Sequence, residues 1–214
     1  MLPFTAEVLS SVLEQYNRAI WPAQIIATGL GLAAVVSTLR PFPDSGRLIG
    51  AALAAAWAWI GVVYYLMHMA TIDFTAPALG VFFVIQGALL AWTGALRGRL
   101  AWRFRADAFG WTGIGLVVLA MAATPLIAWL AGHGWPRAPM VGVAPCPTAI
   151  FTIGMLLLVD GRTPLHLVAI PVLGSLYCGT VAWLLNLPED LAVPLAGVGG
   201  LGLILWKNRQ SAKT

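Results

Sequence analysis

Two cysteines and three histidines are the residues of this 214-residue chain best suited to thiol, metal or proton chemistry. Cys146 lies between Pro145 and Pro147 in GHGWPRAPMVGVAPCPTAIF, residues 132–151, a segment dense in proline and glycine. Pro147 suits the first turn of a helix and disfavours helical backbone at the residue before it, so Cys146 is expected at the cap position. The free N–H groups and positive dipole end of such a helix attract an anion or a thiolate, and lower a cysteine pKa where water reaches it. Thr148 adds a hydroxyl to the same turn. Cys178 is the natural partner of Cys146. If the two are neighbours, they can act as a thiol pair, bind a soft metal or close a disulfide. His133 and Arg137 lie upstream as candidate vestibule groups, and the amide of Gln86 could share a wall with Cys178. These ligands are too few and too irregularly spaced to name a metal.

Other chemistries are excluded by what the chain lacks. There is no HExxH, phosphate-binding loop, dinucleotide fingerprint or haem attachment motif. The only lysines, Lys207 and Lys213, are near the C-terminus, where no mid-membrane Schiff base can form. No cofactor is expected and no catalytic residue is assigned.

The elements that hold these groups follow from composition. Hydrophobic residues make up 60% of the chain and charged residues only 9%, against roughly 25% in a soluble domain. The chain therefore reads as an all-α polytopic membrane protein whose partner is the lipid bilayer, and the net charge of +4 is no sign of nucleic acid. A spanning helix needs about 20 mostly apolar residues. Seven segments qualify, near 20–39, 47–67, 75–96, 108–131, 146–160, 164–187 and 191–206, the fifth and seventh being short. Residues 1–19 read as an amphipathic interfacial helix, 20–206 as one seven-helix transmembrane domain and 207–214 as a cytoplasmic tail.

Charge sets the orientation. Of the twelve basic residues, Arg40, Arg47, Arg97, Arg99, Arg103, Arg105, Arg162, Lys207, Arg209 and Lys213 fall on one side of this map, and Arg18 and Arg137 on the other. The positive-inside bias then puts the N-terminus outside and the C-terminus in the cytoplasm. In RGRLAWRFRAD, 97–107, Trp102 and Phe104 are expected at the headgroups beside a basic anchor, with anionic-lipid binding as the sharper alternative.

In the first helix Thr5 is the expected cap, with Val8, Leu9, Val12, Leu13 and Tyr16 on one face. No charged residue falls inside a span, which disfavours a proton-coupled antiporter. Gln24 and Gln86 are expected either to bond neighbouring helices or to line a water path. Tyr64 and Tyr65 in the second span read as an interfacial belt, and Trp57 and Trp59 face different sides of the helix. The glycines of the last span, Gly197, Gly199, Gly200 and Gly202, predict close helix contact, including a homo-oligomer interface.

The fifth helix decides where the site sits. Counted from Pro147 to the inner surface, it spans about 21 Å of a core about 30 Å thick. Its outer end therefore begins inside the membrane, preceded by irregular backbone that must be buried in protein or wetted by a cavity. By the same reckoning Cys146 lies roughly 9 Å deep and Cys178 roughly 12 Å.

YNRAIWPAQ at 16–24, GHGWPRAPMVGVAPCPTAIFT at 132–152 and LPED at 187–190 resemble blocks of a family of small bacterial polytopic membrane proteins that carry a domain of unknown function. The resemblance implies a multi-pass bacterial inner-membrane protein and no activity. The reading of the residues themselves leads to a channel-like facilitator for a small neutral or anionic solute, with Cys146, Pro147 and Thr148 at the half-helix start and His133, Arg137, Gln86 and Cys178 around it. Two alternatives stay open: a thiol-dependent protein handling a soft metal or redox partner through Cys146 and Cys178, and a non-catalytic subunit of a membrane complex.

Overall fold

A computed structural model describes residues 3–123, 126, 129, 134–186 and 192–212. Helices α1 (Ala6–Ala19), α2 (Ala23–Leu39) and α3 (Ser45–Trp59) come first, α3 running on through the π-helical stretch Ile60–His68. Next are α4 (Ala76–Leu90, continued through Ala91–Leu96) and α5 (Ala108–Val118, continued through Leu119–Ala123). After the short α6 (Gly134–Arg137) come α7 (Pro145–Leu157), α8 (His166–Leu185) and α9 (Ala192–Gln210). Among the described residues the only sheet-like pairing is an isolated antiparallel bridge between Trp102 and Val159.

Helix occurs in each of the seven apolar segments. Three continuous helices, Ser45–Thr71, Ala76–Leu96 and His166–Leu185, are long and apolar enough to cross a membrane. A fourth candidate is the pair α1 and α2, which meet at 85°. That bend divides the amphipathic helix from the apolar one where the sequence changes character, at a cis Trp21–Pro22 bond. Thr5 caps α1 as expected, its Oγ1 accepting from Val8 N at 3.4 Å. Asp107 caps α5 in the same manner, accepting from Gly110 N at 2.8 Å.

The centre of the molecule is the short helix α7. All its residues except Cys146 are buried, and α3, α5, α8 and α9 pack around it. Close approach is what permits this. A Cβ on Gly113 would lie 3.0 Å from Gly154 O, and one on Gly154 would lie 2.8 Å from Gly113 O, so α5 and α7 meet backbone to backbone. In α9, Gly200 faces Ile153 of α7 and Gly197 faces Ser175 of α8, whereas Gly199 and Gly202 meet open space.

Three expectations change on this architecture. Trp102 does not face outward as a headgroup anchor would, although Arg103 and Arg105 beside it are exposed. Trp102 is 2% exposed and lies under the end of α7, donating from Nε1 to Met155 O at 3.0 Å. Tyr64 and Tyr65 also face inward, stacked edge-on with each other and, through Tyr64, with Tyr16. Third, α7 begins at Pro145 and its cap is Ala144, so Cys146 is its second residue. The contrast between the two tryptophans holds: Trp57 is fully buried against Phe83 and Trp59 is part-exposed.

Candidate functional site

The two sequence blocks richest in unusual residues meet in space. Leu9, Leu13 and Asn17 are four residues apart and so share a stripe of α1, which puts an amide on the apolar face. Asn17 is buried and donates from Nδ2 to Pro136 O at 2.9 Å and Ala138 O at 3.2 Å. Tyr16 donates to Val143 O at 2.7 Å and accepts from Trp59 Nε1 at 3.1 Å. Gln24 closes the joint by donating to Asn17 O at 2.6 Å. Within the irregular run 138–144, α1 thus bonds the carbonyls of Ala138 and Val143, while Met140 O accepts from Val143 N and Ala144 N.

Gly142 turns this run back on itself with φ +85°, a conformation that favours glycine. Its N–H donates to Thr148 Oγ1 at 2.8 Å, and the same hydroxyl donates to Ala144 O at 2.6 Å. One turn on, Thr152 donates to Thr148 O and accepts from Trp57 Nε1 at 2.8 Å. Thr148 is thus the knot between the turn and the helix, its hydroxyl donating once and accepting once inside the fold.

A helix start leaves N–H groups without intrahelical partners. In α7 the first and third residues are Pro145 and Pro147, which carry none, and Thr148 N reaches Ala144 O at 3.4 Å. Only Cys146 among the first three helical residues has an N–H. The prolines remove the donors that an anion would need, so the expected anion-attracting helix start lacks most of its hydrogen-bonding groups.

Cys146 and Cys178 form a disulfide, with 5.8 Å between their α-carbons. The pair pins the start of α7 to α8, with Cys178 buried and Cys146 half-buried. The remaining candidate residues scatter. Gln86 is buried on α4 and donates to Leu167 O at 2.9 Å. Leu167 lies eleven residues before Cys178 on α8, about 16 Å along the helix, so Gln86 does not share a wall with the disulfide. It acts as helix-to-helix glue, as Gln24 does within its own joint. The Oε1 atoms of both amides have no hydrogen-bond partner among the described residues. Arg137 donates to Glu14 Oε2 at 2.8 Å, tying α6 to α1. That guanidinium holds the Glu14 carboxyl below the usual carboxylate range. His133 and the LPED block lie outside the described residues.

Beside the Thr148 knot is a cleft of about 170 Å³ between α2, α3 and residues 141–151. Its walls are small and apolar, Ala27, Gly31, Ala52 and Ala56 among them, and Trp59 stands at one side. Val141, Gly142, Val143, Thr148 and Phe151 line it from the α7 side. The absence of charged groups among its lining residues fits it to a neutral, largely apolar occupant.

The other end of α7 is built differently. Met155 O accepts from Trp102 Nε1, Leu156 O from Thr163 Oγ1 at 2.9 Å and Leu158 O from Arg103 N at 3.0 Å. Lys207, buried, donates to Leu157 O at 3.0 Å, to Val159 O and to Thr163 Oγ1. The sequence did not place Tyr16, Asn17, Thr152 or Lys207 at the site, although Thr152 bonds a neighbouring helix as expected. Asn17 on an apolar stripe was the one legible signal among them. Comparison with characterised proteins and with solved structures finds no match. A family model described as "Family of unknown function (DUF6064)" matches residues 6–214, so the chain belongs to that family.

Proposed function

We propose that the chain is a seven-span protein of the bacterial inner membrane, N-terminus outside and C-terminus in the cytoplasm, and that it passes or holds a small neutral, largely apolar solute at the cleft beside Thr148. The span count rests on the seven apolar helical segments and the sorting of basic residues. Large side chains on outward faces, including Ile26, Phe82, Trp183 and Leu195, are more than half exposed, and lipid is the solvent that suits them. A disulfide between Cys146 and Cys178 fits the oxidising outer side.

One observation carries the solute reading: the cleft ends on the irregular run 141–143 and on Thr148, where the half-helix begins. A neutral solute is favoured over an anionic one because Pro145 and Pro147 leave few donors at the helix start. The test is flux of small neutral solutes, graded in polarity, from vesicles holding the full chain, compared with Ala56→Leu, which fills the cleft. A rate above that of empty vesicles, rising with apolarity and lost in Ala56→Leu, is the expected result. Flux unchanged by the substitution would overturn the site.

A second reading, thiol–disulfide exchange with an outer-side partner, is favoured by the half-buried position of Cys146, the sulfur a thiolate would reach first. It requires Cys146 to form the mixed disulfide when the protein is mixed with a small dithiol. Attack at Cys178, or none, would remove it.

A further inference from the structure

A second pocket, also of about 170 Å³, opens at the Lys207 end of α7, remote from the cleft. Arg103, Arg105, Asp107, Lys207, Gln210 and Ser211 supply its polar lining. Three cations thus stand against one carboxylate. Asp107 is already engaged: one oxygen accepts from Gly110 N at 2.8 Å and the other lies 3.3 Å from Arg105 Nε. Asp160 reaches Arg105 only at 3.8 Å. Arg103 makes no ion pair or side-chain hydrogen bond among the described residues. Lys207 is buried with its donors spent on carbonyl and hydroxyl oxygens, and among the described residues Asp107 and Asp160 act on its charge but neither makes an ion pair with it. The carbonyls at the end of α7, which would repel an anion, are themselves occupied by Lys207, Trp102, Thr163 and Arg103 N.

We propose that this pocket binds a phosphate group, with the guanidinium groups of Arg103 and Arg105 as its direct ligands and the Lys207 ammonium as a fixed, partly desolvated positive charge behind them. Arginine presents planar donor forks that match phosphate oxygens. Ser211 and Gln210 add neutral hydrogen-bonding groups at the rim. Phe109 stacks on Trp206 beside the pocket, their ring centroids 5.3 Å apart, and Trp206 is 52% exposed, so an acyl chain below a headgroup would run along an aromatic wall. The same phosphate chemistry is offered by an anionic lipid and by a free phosphate. Only the lipid source depends on the membrane reading above.

The test uses the full chain purified from vesicles of equal phosphatidylglycerol and phosphatidylcholine, with bound lipid read by native mass spectrometry. Inorganic phosphate binding to the delipidated protein is read by calorimetry. Three proteins are compared: the parent, Arg103→Ala/Arg105→Ala, and Arg97→Ala/Arg99→Ala, which removes two charges from the same loop outside the pocket. The single variant Arg103→Gln guards against a folding defect in the double one. The pocket variant should bind about twenty-fivefold more weakly, by roughly fivefold per arginine, and the loop variant should match the parent. Retained phosphatidylglycerol that millimolar inorganic phosphate does not displace identifies a lipid headgroup as the source. Displacement, or phosphate binding alone, identifies a free anion. No phosphate or phosphatidylglycerol bound by the parent, or equal losses in the pocket and loop variants, would overturn the proposal.

Discussion

The two ends of α7 face the same problem and solve it in opposite ways. A helix buried at both ends has backbone groups at each terminus that nothing within the helix can satisfy. At the Pro145 end the chain deletes donors, replacing two of the first three N–H groups with proline rings, and folds a turn over what is left. At the Leu157 end deletion is impossible, because every residue has a carbonyl. Donors are imported instead, from Trp102, Thr163, Arg103 and Lys207. Proline chemistry can remove a hydrogen-bond donor but no residue can remove an acceptor, so the first end has a sequence signature and the second does not.

The largest loss of stability is expected at the end where donors are imported. Lys207→Met leaves the Val159 and Leu157 carbonyls buried without this donor, and is expected to destabilise the protein by about 3 kcal/mol, the scale for losing a charged donor to buried acceptors. Thermal unfolding in one fixed lipid mixture would measure it, and a loss below that of Thr148→Val would reverse the ranking of the two ends. Thr148→Val, which keeps the shape but loses both bonds of the knot, should cost about 2 kcal/mol. Hydrogen exchange at Gly142 should accelerate with it, and an unchanged rate would mean that the turn is held by packing alone.

The smallest effect sharpens the first end from outside. Because the Glu14 carboxyl is held below its ordinary range by Arg137, it loses its proton more readily in the folded protein than in the unfolded one. Its contribution is therefore present above the unfolded carboxylate pKa, about 4.3, and is lost as pH falls through the lower folded value. The pair is exposed, so the effect is slight. Comparing parent and Glu14→Gln by protection of the 134–137 turn between pH 6 and pH 3 would show it. The two curves should converge at the acid end, and parallel curves would show that the pair contributes nothing.

The sequence made the helices legible because apolar runs end where arginines, prolines and glycines begin. It also marked α7 as too short and its start as irregular, which is where the turn and the disulfide lie. That Cys146 and Cys178 could be neighbours was legible too, and the disulfide joins them. Their facing directions were not, since those depend on how α7 and α8 are rotated. The central position of α7 was hidden for a related reason. Its residues are apolar all round, and a helix surrounded by lipid and one surrounded by protein then look alike. Trp102 and Lys207 misled for the opposite reason, because amphipathic residues at a segment end suit a headgroup or a buried carbonyl equally well. Gln86 was placed with the site by type alone, and type carries no information on position along the neighbouring helix.

The bond between Cys146 and Cys178 also makes a closed covalent ring of the 32-residue separation between them. That ring contains most of α7, the turn at 161–165 and more than half of α8. A protease that cuts within the turn would open the ring without releasing either helix, and two fragments would separate on a gel only after reduction. The far face of the protein could then be severed while the near face still moved as one piece, which makes the ring a natural marker of which face a probe has reached.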